Sequence, residues 1–121
     1  MPSQYVVVDT NRIIVAVTDT FLEMTGKTRS GLIGMEILEA FPDDPDNPEA
    51  KGTEILKGSI DRVLESRKID ILPPVRYDLP NADGVYEVRW FKPLNAPALN
   101  DQGEVVYVLH GAEDITAQMT N

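Results

Sequence analysis

Thr18-Asp19-Thr20-Phe21-Leu22-Glu23-Met24-Thr25-Gly26 is where this chain changes its periodicity, and that change decides the fold. Before it stand two apolar runs, Tyr5-Val6-Val7-Val8 and Ile13-Ile14-Val15-Ala16-Val17, separated by the turn-like Asp9-Thr10-Asn11-Arg12. Short apolar runs between turn signals suit strands, and their closeness predicts a hairpin. In the quoted stretch Thr18, Asp19 and Thr20 are N-cap residues by type. Thr20 and Glu23 have capping-box spacing, and Gly26 is a helix stop. Ser30 is placed to start a second short helix through Leu32 and Ile33, ended by Gly34. Ile37, Leu38 and Phe41 form a third before Pro42. Helices this brief cannot make a bundle, which needs length to bury a stripe.

Pro42 to Pro48 reads Pro-Asp-Asp-Pro-Asp-Asn-Pro, a rigid acidic loop. It is a solvated connector or, by its clustered oxygens, a calcium site, although the glycine and spaced glutamate of an EF-hand are missing. The one long helix is expected from about Thr53 to Lys68, with Ile55, Leu56, Ile60, Val63 and Leu64 on one face and Ser59 among them. Strands are expected at Val75–Leu79, at Val85–Leu94 after the turn Asn81–Gly84, and at Glu104–Ile115, with a loop from Asn95 to Gly103. Strands, then helices, then strands predict an α+β fold with an antiparallel sheet covered on one face.

Composition narrows the partners. At 121 residues the chain fits one domain, 1–121, able to bury roughly 65% of its unfolded surface. A net charge of −9 argues against nucleic acid and against an anionic membrane surface. The chain has no cysteine, which removes disulfides, thiolate nucleophiles, cysteine-ligated metals and any thiol-linked chromophore. No stretch approaches the roughly 20 apolar residues of a membrane span, and Met1-Pro2-Ser3-Gln4 lacks a basic leader. The expectation is a soluble, cytoplasmic protein.

Several of these fragments, taken in order, resemble the PAS superfamily of sensory domains. They are Asp9-Thr10-Asn11 between the first strands, then Asp19-Thr20-Phe21, Thr25-Gly26 and Leu32-Ile33-Gly34, and finally Asp114-Ile115-Thr116. A narrower likeness, to PAS domains of bacterial sensor histidine kinases and related signalling proteins, lies in Phe41-Pro42-Asp43-Asp44-Pro45, Arg76-Tyr77-Asp78, Trp90 with Asn95 and Pro97, and His110 with Glu113-Asp114. The resemblance implies a five-stranded antiparallel sheet that encloses a pocket with short helices and one longer one. It also implies a signal-input module, without an active site of its own, that senses a small molecule or relays a conformational change, pairs as a homodimer and drives an effector domain beyond Asn121. The alternative is a ligand-free dimerisation or protein-interaction module.

Candidate site residues follow. Haem-binding relatives use a histidine on the long helix, which has none here, and flavin–cysteine adducts need a thiol, so neither cofactor carries over. A non-covalently held flavin stays open, and the cofactor is otherwise undetermined by the sequence. The lone His110 shares a strand face with Val106, Val108 and Ala112, as a hydrogen-bonded core residue or as a pocket contact. Trp90 with Tyr86 is sheet core or pocket wall. Arg76, beside Tyr77, either pairs with Asp78 or reaches a ligand's carboxylate or phosphate. Tyr77 belongs with this ligand-binding set. Asp114 and Thr116 sit where a strand must become a helix; Asp114 is a cap candidate, and the junction is the expected relay. No nucleophile–base or metal-ligand spacing points to catalysis.

Overall fold

The computed structural model describes residues 4–119, so Met1–Ser3 and the chain end at Asn121, where the leader and effector readings fall, lie outside it. The opening hairpin forms as its turn chemistry requires. β1 (Tyr5–Asp9) and β2 (Ile14–Val17) pair antiparallel, and the Asp9 carboxylate accepts from the Asn11 and Ile13 amides at 2.8 and 3.0 Å. Val6 and Val8 alternate inward and are fully buried.

Thr18 is the N-cap of α1 (Asp19–Thr25), its hydroxyl accepting from the Phe21 amide, so the expected Thr20–Glu23 box is not the device. Gly26 closes the helix at φ 72°, a left-handed conformation that glycine adopts without steric cost. Two one-turn helices follow, α2 (Arg29–Leu32), capped by Thr28 rather than started at Ser30, and α3 (Ile37–Ala40), capped by Glu36. The long helix is α4 (Gly52–Ser66), which Arg67 ends in the left-handed region. Its N-cap residue, Lys51, supplies no side-chain bond. Asp43 from the acidic loop does instead, accepting from the Thr53 hydroxyl at 2.6 Å and the Thr53 amide at 3.3 Å. The Asp44 and Asn47 side chains close their own loop turns on the Asp46 and Glu49 amides.

The remaining elements are β3 (Asp70–Ile71), β4 (Val75–Arg76), β5 (Leu79–Pro80), β6 (Tyr86–Glu87), β7 (Trp90–Leu99), β8 (Val105–Asp114) and α5 (Thr116–Met119). The main sheet is antiparallel in the order β2-β1-β8-β7-β3, with β4 also on β7, and α4 packs across β7 and β8. The α+β architecture is as expected, but several element boundaries differ. The expected strands Val75–Leu79 and Val85–Leu94 are both broken, because Leu79–Pro80 pairs with Tyr86–Glu87 in a separate hairpin while Val75–Arg76 pairs with β7. The expected loop Asn95–Gly103 is mostly strand, since β7 runs on to Leu99.

The prolines in β7 show how. The Pro93 carbonyl accepts from the Leu72 amide, so the backbone polar groups of Pro93 face away from β8. Pro97, four residues on, has the same orientation, beyond the end of the short β3. Neither missing N–H breaks the β7–β8 ladder.

Candidate functional site

A cavity of about 50 Å³ lies between α1, α4 and the inner sheet face, walled among others by Phe21, Phe41, Leu56, Tyr77, Phe91 and His110. Tyr77 closes one side. Its ring packs so tightly on Gly52 that a Cβ there would stand 2.6 Å from it, and its hydroxyl donates to the Phe41 carbonyl. Burial, with Asp43 nearby, raises the Tyr77 pKa, so the phenol stays protonated. Thr25, also on the wall, donates its hydroxyl to the Phe21 carbonyl at 2.9 Å. Among the described residues, no charged side chain lines the cavity.

His110 enters from the middle of β8, edge-on to Phe21 with ring centroids 6.4 Å apart. Burial holds its pKa down at about 4, so the ring is neutral at physiological pH. It is not an isolated core histidine. Its Nδ1 lies 2.9 Å from Asn95 Oδ1, Asn95 Nδ2 donates to Ser59 Oγ at 2.8 Å, and Ser59 donates to Asp70 at 2.6 Å. Arg62 completes the chain at the surface, 2.9 Å from the same Asp70 oxygen. Hydrogen bonds from Ser59 and Arg62 hold the Asp70 carboxyl below its ordinary range. Ser59 and Asn95 are fully buried, so a line of polar groups runs from the cavity wall to Asp70 and Arg62 at the surface.

The other ligand candidates lie elsewhere. Arg76 is exposed and forks onto Asp78 at 3.0 and 2.9 Å, outside the cavity. Trp90 is half-buried, does not line the cavity, and belongs through its backbone to the strand–helix junction. Of the four ligand candidates, the cavity brings together Tyr77 and His110.

At the end of β8, Asp114 accepts from the Thr116 amide at 2.9 Å and the Thr116 hydroxyl at 2.6 Å, capping α5 from just outside it. Thr116 in turn accepts from the Trp90 amide. Arg89 lies 2.9 Å from Asp114 and also donates to the Met24 carbonyl, and Met24 is a cavity residue. Burial works to raise the Asp114 pKa, but the Thr116 bonds and Arg89 outweigh it and the net direction is down. Asp114 is therefore ionised at neutral pH.

Sequence reasoning missed Ser59, Asp70 and Arg89 as site residues and noted Asn95 only within a resemblance. A serine inside the apolar stripe of α4 was the one local signal, because a polar group buried there needs a partner.

The class these features define is an α+β sensory-type fold, an antiparallel sheet curled against short helices, with an internal cavity and a terminal strand that leads into a helix. A family model described as the PAS fold matches residues 1–119, and the chain belongs to that family. Solved structures agree on the fold. The PAS domain of a protein from Colwellia psychrerythraea superposes with a TM-score of 0.71 at 19% identity, over 94% of this chain and 86% of that one. A sensory box sensor histidine kinase from Vibrio cholerae gives 0.67 at 19%, covering 93% and 81%. The PAS domain of the fruit-fly ELK potassium channel gives 0.68 at 22%, covering 94% and 87%. No curated protein matches the chain.

Proposed function

We propose that this PAS domain is a signal-input module in which a small molecule in the central cavity alters β8, and the Arg89–Asp114–Thr116 clasp passes the change to α5 and an effector beyond it. One observation carries the reading: cavity wall and output junction are parts of the same strand, with His110 four residues before Asp114. Arg89 adds a second tie, since it holds both the junction and the Met24 end of α1. The effector on this reading is a histidine kinase; the narrow sequence likeness and the Vibrio cholerae neighbour support it. The homodimer would form through the outer sheet face, where Val15 and Tyr107 are exposed. The acidic net charge fits a cytoplasmic setting, and no helix among the described residues is long and apolar enough to cross a membrane.

The cavity's size favours a second reading. Ligand sites usually enclose about 300–1,000 Å³, so a cavity of about 50 Å³ must widen to take a metabolite. A module that keeps its interior closed and works by pairing alone would look the same. Native mass spectrometry and thermal melting of the purified protein against small uncharged compounds separate the two. A bound mass with a rise in Tm supports sensing, because ligand at a hundredfold excess over Kd adds about 2.7 kcal/mol to stability. A protein that no compound shifts, and that dimerises regardless, is the pairing module.

A further inference from the structure

The order of protons along the buried chain follows from its charged end. Asp70, paired with Arg62 and held ionised, can only accept. Ser59, 2.6 Å away, must therefore donate its one hydroxyl proton to Asp70. Its oxygen is left to accept from Asn95, which fixes the Asn95 amide with Nδ2 toward Ser59 and Oδ1 toward His110. Facing an acceptor, His110 Nδ1 must carry the ring's proton. A neutral imidazole has only one, so Nε2 is a bare lone pair, and no described residue bonds to it. The Nδ1 edge is turned toward Asn95, which is off the cavity wall, while His110 is on it.

Resting on the sensing reading, we propose that the cavity takes a small, uncharged, largely apolar molecule bearing one hydrogen-bond donor, and that this donor goes to Nε2 of His110. The rest of the wall argues for the same ligand class. The Thr25 and Tyr77 hydroxyl protons are committed to backbone carbonyls, and no charged group among the described residues lines the cavity to receive an ion stripped of its water. A lone water wants two to four polar partners, and His110 Nε2 supplies one. A carboxylate ligand would bring a second acceptor against this lone pair and be repelled.

His110 is the only histidine in the chain, so its imidazole nitrogens can be read by 15N NMR of the intact protein without ambiguity. Phenol and fluorobenzene, rings of similar size with and without a donor, are the probes, and benzoate is the charged control. The free protein should show the Nδ1–H tautomer. Phenol should shift the Nε2 resonance and bind about five- to tenfold tighter than fluorobenzene, as one net hydrogen bond allows. Benzoate should not bind. Ser59→Ala, verified as folded by circular dichroism, should release the Asn95 amide, mix the tautomers and erase the preference for phenol. An Nε2–H tautomer in the wild type, or tautomer and preference unchanged in Ser59→Ala, overturns the inference. Equal binding of both rings with Nε2 unmoved overturns it too, yet leaves a ligand-binding sensor standing. If neither ring binds at saturation, the inference falls together with the sensing reading.

Discussion

The two polar networks at the ends of one stretch of β8 are built on opposite physics. Around His110 the groups are neutral on the cavity side, buried, and joined by hydrogen bonds whose direction is set from a distant carboxylate. Around Asp114 the groups are charged, about a quarter exposed, and gathered by an ion pair and a helix cap. The first resists change because any broken bond leaves a dry polar atom without a partner. The second yields easily, since water stands ready to replace each contact. A sensor that must hold a pocket and release a helix has use for both.

The largest effect should come from cutting the buried network. Asn95→Ala leaves the Ser59 hydroxyl oxygen and His110 Nδ1 unsatisfied at once, and at about 1–3 kcal/mol for each orphaned group the loss should be about 3 kcal/mol or more. Urea denaturation measures it. A loss under 1 kcal/mol would mean that water replaces the asparagine and that the interior is not dry.

Acid should separate the two regions next. His110 has its folded pKa depressed to about 4 against about 6.5 when unfolded, so the unfolded chain binds more protons between these values. Its contribution is complete above about pH 6.5 and is lost as pH falls toward 4, amounting to about 3 kcal/mol. Asp70 and Asp114 are depressed carboxyls, so theirs persists above the ordinary carboxylate pKa and fades only as pH drops through their lowered values. Stability against pH should fall in two stages, His110 first. Replacing His110 with Gln should remove the upper stage alone.

How much of this could be read from the sequence follows from the same contrast. The hairpin turn at Asp9, the Gly26 stop and the apolar stripe of α4 are local, and local periodicity revealed them. Asp114 was legible because a strand-to-helix change demands a nearby cap. The buried chain was not, because Ser59, Asp70 and Asn95 come from three elements that meet only after the sheet closes. Pro97 also hid the end of the strand that carries Asn95, since which side a proline's absent N–H faces depends on pairing that no short window reveals. Asp43 capping α4 from ten residues away failed for the same reason.

The junction should respond more gently. Asp114→Ala removes the α5 cap and the Arg89 partner, which on the usual cost of a lost cap comes to about 1 kcal/mol. If the clasp carries the signal, output of the full-length protein should change far more than its melting temperature does. Unaltered output would confine the clasp to a structural part.

Salt gives the smallest effect and the cleanest distinction. Arg89 and Asp114 have side chains 27% and 28% exposed, so their attraction should weaken as ionic strength rises, by about 0.5 kcal/mol or less. A double-mutant cycle of Arg89→Gln and Asp114→Asn, measured by denaturation at low and high salt, isolates that coupling. It should shrink at high salt, whereas the corresponding cycle of Ser59→Ala and Asn95→Ala should not, because no mobile ion reaches two fully buried side chains. Should the Ser59–Asn95 coupling fade with salt as well, water and ions enter the interior, and the contrast between a dry relay and a wet clasp is lost.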